Sequence, residues 1–216
     1  MGFARYRGKR VLELGFGQGT DLCQFAKAGA QCSGVDLTPE HFERAGNHFR
    51  LLGLDAELFL EDASQLHFDD ASFDVVYSFG VLHHTPDIDR CLAEAHRVLR
   101  PNGELILGLY HRWSVFHLIS VLLVSGLIRG GLWRLGYRGL LSTVEQGADG
   151  RRIKPLVNLY TKRGLKRLLG DFRDVRVSVH HLEKSHFSMF RRLVPAALVR
   201  WLEPRMGWYL VARAVK

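Results

Sequence analysis

Apolar residues along the first half of the chain fall into two rhythms, short continuous runs and longer stretches at helical spacing. Arg10-Val11-Leu12-Glu13-Leu14 is a run closed by a glycine-rich turn, and Thr20 to Ala28 then carries Leu22, Phe25 and Ala26 at helical spacing. A strand, a tight turn and a helix are expected there. Gln31 to Asp36 reads as a second strand. Thr38-Pro39-Glu40 opens a second helix, with Thr as N-cap and Pro at the first helical position, and Gly53 stops it after about Leu52. Ala56 to Leu60 reads as a third strand, Phe73 to Phe79 as a fourth and Asp87 to Leu99 as a helix. Glu104 to Tyr110 follows as a fifth strand after the turn Pro101-Asn102-Gly103.

Strand and helix alternate throughout this half. Parallel strands need crossover connections, so the pattern predicts an α/β fold whose mostly parallel sheet has helices on both faces and ligands at the carboxyl ends of its strands. After Tyr110 the rhythm changes. An apolar helical segment from Trp113 to Ile128 is followed by a Gly- and Arg-rich stretch to about Pro155 and a helix from Thr161 to Leu169. Asp174 to Leu182 then alternates Val175, Val177 and Val179 with polar residues, and Gly207 to Val215 is a last strand. These two are expected to pair antiparallel at the sheet edge. With no repeat and no low-complexity linker, 1–216 reads as one domain, divided into a half at 1–110 that would bind a cofactor and a half at 111–216 that would complete the sheet and shape an acceptor pocket.

Composition narrows the class. The chain has 216 residues, 47% hydrophobic and 24% charged, enough to bury a core without a metal or disulfide staple. Three scattered cysteines, Cys23, Cys32 and Cys91, build neither a disulfide framework nor a four-cysteine zinc site, which points to a reducing compartment. The basic start Met1 to Arg10 is unlike a secretory signal, and Tyr6 stands where myristoylation wants Ser or Thr. Trp113 to Ile128 is shorter than the roughly 20 apolar residues of a membrane span. A cytoplasmic protein is expected, with peripheral membrane contact as a further option. The net charge of +8 is unevenly spread: residues 1–128 carry 11 Lys and Arg against 16 Asp and Glu, residues 129–216 carry 19 against 6. A basic half can attract anionic membrane, nucleic acid or substrate, although sequences such as Arg163-Gly164-Leu165-Lys166-Arg167-Leu168-Leu169 also fit the solvated face of an amphipathic helix.

Candidate chemistry gathers at the strand ends. Glu13-Leu14-Gly15-Phe16-Gly17-Gln18-Gly19-Thr20 closes the first strand, where glycines let the backbone pass close under a ligand and the next helix presents free N–H groups. The spacing is G-x-G-x-G with Thr20 following, not the G-x-G-x-x-G of a dinucleotide fingerprint, which argues against NAD. Asp36 follows Gly19 by 17 positions and ends the second strand, where a carboxylate can accept hydrogen bonds from both hydroxyls of a ribose. Asp62-Ala63, past the third strand, suits an adenine.

In this order these residues resemble the class I S-adenosylmethionine-dependent methyltransferases, in particular the subgroup with quinone-biosynthesis and bacterial small-molecule enzymes. The resemblance covers residues 10–110. It rests on Val11 to Gly19, Gly34-Val35-Asp36-Leu37, Glu61-Asp62-Ala63, Ser72-Phe73-Asp74-Val75-Val76-Tyr77-Ser78, Val81-Leu82-His83-His84 and Arg97-Val98-Leu99-Arg100-Pro101-Asn102-Gly103-Glu104. It implies a Rossmann-like sheet of seven strands ending in an antiparallel hairpin. It also implies S-adenosyl-L-methionine as cofactor, with the Gly15–Gly19 loop on its methionine part, Asp36 at the ribose, Asp62-Ala63 at the adenine, Ser78 and Phe79 lining the pocket, and Leu37 among the cofactor-binding residues. Glu13, Phe16 and Thr20 belong to the same candidate set. Phe16 stands where relatives usually have Cys or Ala and is expected to point outward. Only nine residues precede Arg10, where relatives commonly have a longer segment over the cofactor.

Methyl transfer from a sulfonium is an in-line displacement, so alignment and exclusion of water carry most of the acceleration. A hydroxyl acceptor could use a histidine base. His83, His84 and His111 lie at predicted strand ends, with His84 the first choice, and a hydrogen-bonded structural role stands equally open for each. Tyr110 and Trp113 are expected to shape the acceptor pocket, and the apolar segment after them favours an apolar or lipid-like small molecule. No metal is expected, since His180 and His181 point to opposite faces of a strand and no Cys or carboxylate completes a set with His186. Two alternatives remain: an RNA or DNA methyltransferase, suggested by the basic half but lacking the Asn/Asp-Pro-Pro-aromatic cluster at Ser78-Phe79-Gly80-Val81-Leu82, and a non-catalytic cofactor-binding or membrane-peripheral scaffold.

Overall fold

A computed structural model describes residues 2–145 and 156–216. Seven strands form one sheet: β1 (Arg10–Leu14), β2 (Gln31–Asp36), β3 (Glu57–Leu60), β4 (Phe73–Phe79), β5 (Leu99–Tyr110), β6 (Arg173–His180) and β7 (Tyr209–Val215). Their order is β3-β2-β1-β4-β5-β7-β6, with β1 to β5 parallel and β7 antiparallel to both β5 and β6. The sheet reverses direction of growth between β1 and β4, and at such a switch point the strand ends open a crevice.

The burial of each strand follows from its place. β1 and β2 are covered on both faces and buried along almost their whole length, whereas the outer strand β6 alternates exposed and partly buried residues. One face of the sheet packs Leu12, Leu14, Val76 and Leu105 against α3 (Ile88–Val98) and α5 (Lys162–Leu168). The other packs Val11, Val75, Tyr77 and Ile106 against Leu22 and Phe25 of α1 (Thr20–Lys27) and Ala45 and Phe49 of α2 (Pro39–Leu52). At the opposite end from the crevice, Phe3 and Tyr6 lie on Phe25, and Arg5, Tyr6 and Arg213 all meet the Glu104 carboxylate within 2.7–2.8 Å.

The expected strands and helices of the first half are present. Pro39–Leu52 ends at Gly53 in the left-handed region, and Asp87 caps α3 by accepting from the Arg90 N–H at 3.0 Å. β5 begins earlier than the turn residues suggested: Leu99 pairs with Phe73, and Asn102 takes a left-handed φ of 64° within the strand. The antiparallel pair also forms, but the last strand in sequence, β7, lies inside the sheet and β6 is outermost.

The region after β5 holds more structure than the Gly- and Arg-rich sequence implied. Phe116–Ile128 is a wide helix whose C-terminal end has the Arg129 N–H on the Val124 carbonyl, five residues back. It is followed by α4 (Gly131–Leu141), kinked at Gly136, while the part of the stretch at 146–155 lies outside the described residues. A 3-10 segment, Lys184–Phe190, and α6 (Ala196–Met206) precede β7.

Candidate active site

The loop after β1 turns on left-handed glycines. Gly15, Gly17 and Gly19 have φ of 77°, 53° and 73°, a region that costs a side chain with a Cβ about 1 kcal/mol or more. A Cβ on Gly15 would also stand 2.4 Å from Val81, whereas one on Gly17 would meet no atom, so the chain stays open there. Phe16 departs from its expected outward pose. It is buried against β2, where a Cβ on Gly34 would come within 2.8 Å of its ring. Glycine at 34 and a bulky residue at 16 are thus complementary.

Glu13 is buried beneath this loop, and its Oε2 has no hydrogen-bond partner among the described residues. Burial, followed by the nearby negative charge of Asp21 and Asp36, pushes its carboxyl well above the ordinary range. Asp21 in turn accepts a 2.5 Å hydrogen bond from Tyr77.

Asp36 holds the crevice together. Its Oδ2 accepts from the Gly17 N–H at 2.9 Å, and its Oδ1 accepts from the Thr38 N–H at 2.9 Å and lies 3.1 Å from His41 Nδ1. The carboxylate therefore ties the glycine loop to the start of α2. Past β3, Asp62 Oδ1 accepts from the Ser64 N–H at 2.8 Å, and the loop behind it is clamped by Arg97, which donates to Glu94, Asp70 and the carbonyls of Leu66 and Phe68.

These segments enclose a cavity of about 350 Å³. Gly15, Gly17, Asp36, Leu37, Asp62, Ala63 and His84 form part of its wall, joined by His41, Glu61, Gly80 and Thr85, which sequence reasoning did not single out. Leu37, although apolar, is 65% exposed at the rim, where it offers a flat ligand an apolar contact. His41 was hidden because it reads as an ordinary helix residue; its position in the first turn after Asp36 is the signal that could have found it. His84 Nδ1 lies 2.8 Å from the Leu156 carbonyl, to which it donates.

The other candidates lie behind these walls. Ser78 is fully buried and donates to the Leu14 carbonyl at 2.8 Å, so it staples β4 to β1. Phe79 covers Gly108 and packs on Tyr209, Gly19 packs on Ala45, and Thr20 is exposed at the start of α1. His83 is buried, its ring 4.0 Å from that of His84 and 3.7 Å from that of Tyr110. Tyr110 continues the stack onto Trp208 at 4.2 Å and donates its hydroxyl to Glu145. His111 Nδ1 faces the Gly207 carbonyl at 3.2 Å, and burial lowers its pKa. Trp113 is 53% exposed beneath Arg112 and takes no part in the cavity wall.

Sheet order, switch-point crevice and left-handed glycine loop are those of the class I S-adenosylmethionine-dependent methyltransferase fold. Residues 12–107 match the family model of the methyltransferase domain, so the half of the chain that builds the crevice carries the family's signature. The 27-O-demethylrifamycin SV methyltransferase of Amycolatopsis mediterranei is 38% identical over 104 residues, 47% of this chain and 38% of that protein. The phthiotriol/phenolphthiotriol dimycocerosates methyltransferase of Mycobacterium leprae is 40% identical over 100 residues, 45% of this chain and 36% of that protein. The chain thus spans little more than a third of the length of these curated relatives. An S-adenosylmethionine-dependent methyltransferase structure from Methanosarcina mazei superposes with a TM-score of 0.65 at 22% identity, over 98% of this chain and 95% of that one, which shows the shared fold.

The cofactor of this class, S-adenosylmethionine, fits the residues present. The space left by Gly17 and the carboxylates at Asp36 and Asp62 surround one cavity. When bound, the cofactor supplies an electrophilic methyl group on a sulfonium.

Proposed function

We propose that this chain transfers the methyl group of S-adenosylmethionine to a small molecule with a substantial apolar surface. The observation that carries the reading is the cavity formed jointly by Gly15, Gly17, Asp36, Asp62 and Ala63, with His84 in the same wall. The backbone of the glycine loop and the Asp36 carboxylate bind and orient the cofactor. Leu37 and Ala63 offer apolar contact to its ring.

His84 is the group placed to take a proton from a hydroxyl acceptor, because it shares the cavity wall with the glycine loop and Asp36. His111 is held instead against Gly207, and His83 is packed between His84 and Tyr110. Leu37, Val81 and Leu82 in the cavity wall support an acceptor with apolar surface. Two relatives point the same way by name, one acting on a demethylrifamycin and one on phthiotriol dimycocerosates.

The test is incubation with methyl-labelled cofactor and separate pools of organic-extractable small molecules and RNA. Label is expected in the organic extract, and His84→Gln should lower kcat by about 100-fold while leaving S-adenosylhomocysteine affinity unchanged. Label confined to RNA, or no label anywhere, would overturn the reading.

A further inference from the structure

The described part of the second half carries a surface unlike the rest of the molecule. Residues 111–144 contain Arg112, Arg129, Arg134 and Arg138 with no Asp or Glu, and residues 184–202 contain Lys184, Arg191, Arg192 and Arg200, again with no acid. The fold brings the two segments together. Arg129, at the end of the wide helix, lines one shallow groove of about 490 Å³ with Ser185, Ser188, Met189, Arg191 and Arg192. Three guanidinium groups and the Ser188 hydroxyl around one groove form a donor set suited to a phosphate ester, while Ser185 donates its own hydroxyl to Glu183 at 3.1 Å.

The rim of this groove is apolar. Leu127 and Ile128 precede Arg129 and are 49% and 56% exposed, while Met189 and Leu193 flank the paired arginines at 63% and 80%. Trp133, 75% exposed, stands beside Gly130, where a Cβ would be 4.0 Å from its ring. Isolated exposed apolar residues are ordinary, but five around a cluster of arginines mark a contact surface.

We propose that this face docks on an anionic phospholipid bilayer, with the arginine groove on lipid headgroup phosphates and the apolar rim at the acyl boundary. Charge complementarity selects the partner: eight cations and no carboxylate across the two segments suit a negative surface. Four of the five rim residues, Leu127, Ile128, Met189 and Leu193, are aliphatic, which favours acyl chains over single-stranded bases, since bases stack on aromatic rings and only Trp133 of the five carries one. Contact stays at the interface, since among the described residues no helix is long and apolar enough to cross a membrane. The groove shares no lining residue with the cofactor cavity, so docking is independent of methyl transfer.

Flotation of the full chain with vesicles of phosphatidylcholine alone, or of phosphatidylcholine with phosphatidylglycerol, tests the proposal. Recovery is expected with the anionic vesicles only, and should fall as salt rises. At about 1 kcal/mol per cation, Arg129→Gln/Arg191→Gln/Arg192→Gln should lower partitioning on the order of 100-fold. The matched charge change on α5, Arg163→Gln/Lys166→Gln/Arg167→Gln, should bind like wild type, and Trp133→Ser/Leu193→Ser should lose binding with an unchanged circular dichroism spectrum. Failure to float with anionic vesicles, equal recovery on neutral ones, or equal losses in the two charge triples would overturn it. So would salt-sensitive RNA binding by protein that leaves the vesicles untouched.

Discussion

Asp36 shows how a single carboxylate serves both fold and site: two backbone N–H groups, from Gly17 and Thr38, converge on it and fix the loop that any ligand in the cavity must meet. Its importance was legible in the sequence because a carboxylate at the end of the second strand has few other reasons to be there. Glu13 is the opposite case, since only the structure reveals its buried, partnerless oxygen. Its carboxyl is raised by burial first and then by Asp21 and Asp36. A raised carboxyl favours folding fully below its unfolded value of 4.5, and that contribution is lost as pH rises through the folded value. Glu13→Gln should therefore raise the melting temperature at neutral pH, with the difference shrinking below about pH 4.5. A variant that melts no higher than wild type at neutral pH would contradict this assignment. Phe16 illustrates where sequence reasoning fails at this scale: the left-handed turn around it decides which way the ring points, and Gly34, the residue that receives it, lies on another strand.

Among the elements, those bounded by strong local signals were the ones read correctly. Gln31–Asp36, Pro39–Leu52 and Phe73–Phe79 start and stop where their apolar rhythm, Pro39 and Gly53 indicate. α4 and α6 were missed because glycines at 130, 131, 136 and 139, and Pro195 and Pro204, read as breakers; Gly136 does kink α4, and Pro204 sits inside α6. The order of β6 and β7 in the sheet is set by packing on β5, which no local pattern encodes. The loop carrying Asp62 gives an element its own prediction. Arg97 ties it to α3 through Glu94, Asp70 and two carbonyls, and the Arg97 hydrogen bond is the main reason Glu94 lies below its ordinary pKa. Arg97→Ala should cost about 2–3 kcal/mol by leaving these acceptors unpaired. A lowered carboxyl stabilises above its unfolded value of 4.5 and loses that contribution as pH falls through the folded value. The variant should thus show a flatter loss of stability below about pH 4.5 in urea unfolding, together with weaker cofactor binding. A parallel acid limb would contradict the clamp.

For the whole molecule, the division between an acidic first part and a basic second part coincides with a division of labour. The segment that matches the family, 12–107, builds the crevice, and the aromatic stack and the arginine groove belong to residues C-terminal to it. That is why the fold of the first half could be read from sequence and the packing beyond it could not: the first rests on backbone turns and apolar runs at fixed spacing, the second on long-range packing of Tyr110, Glu145 and Trp208. Phe3 to Tyr6, pinned through Glu104 at the amino ends of the strands, lie far from the crevice and do not cover it. The central claim is that Gly15–Gly17, Asp36 and Asp62 form one cofactor site. Calorimetric titration of S-adenosylhomocysteine into wild type, Asp36→Ala and the exposed, minimally structural Asp62→Ala tests it most directly. Micromolar binding by wild type, weakened at least tenfold by Asp62→Ala and abolished by Asp36→Ala, is the predicted result; a folded wild-type protein that takes up no ligand, or two variants that bind as tightly as it does, would contradict the account.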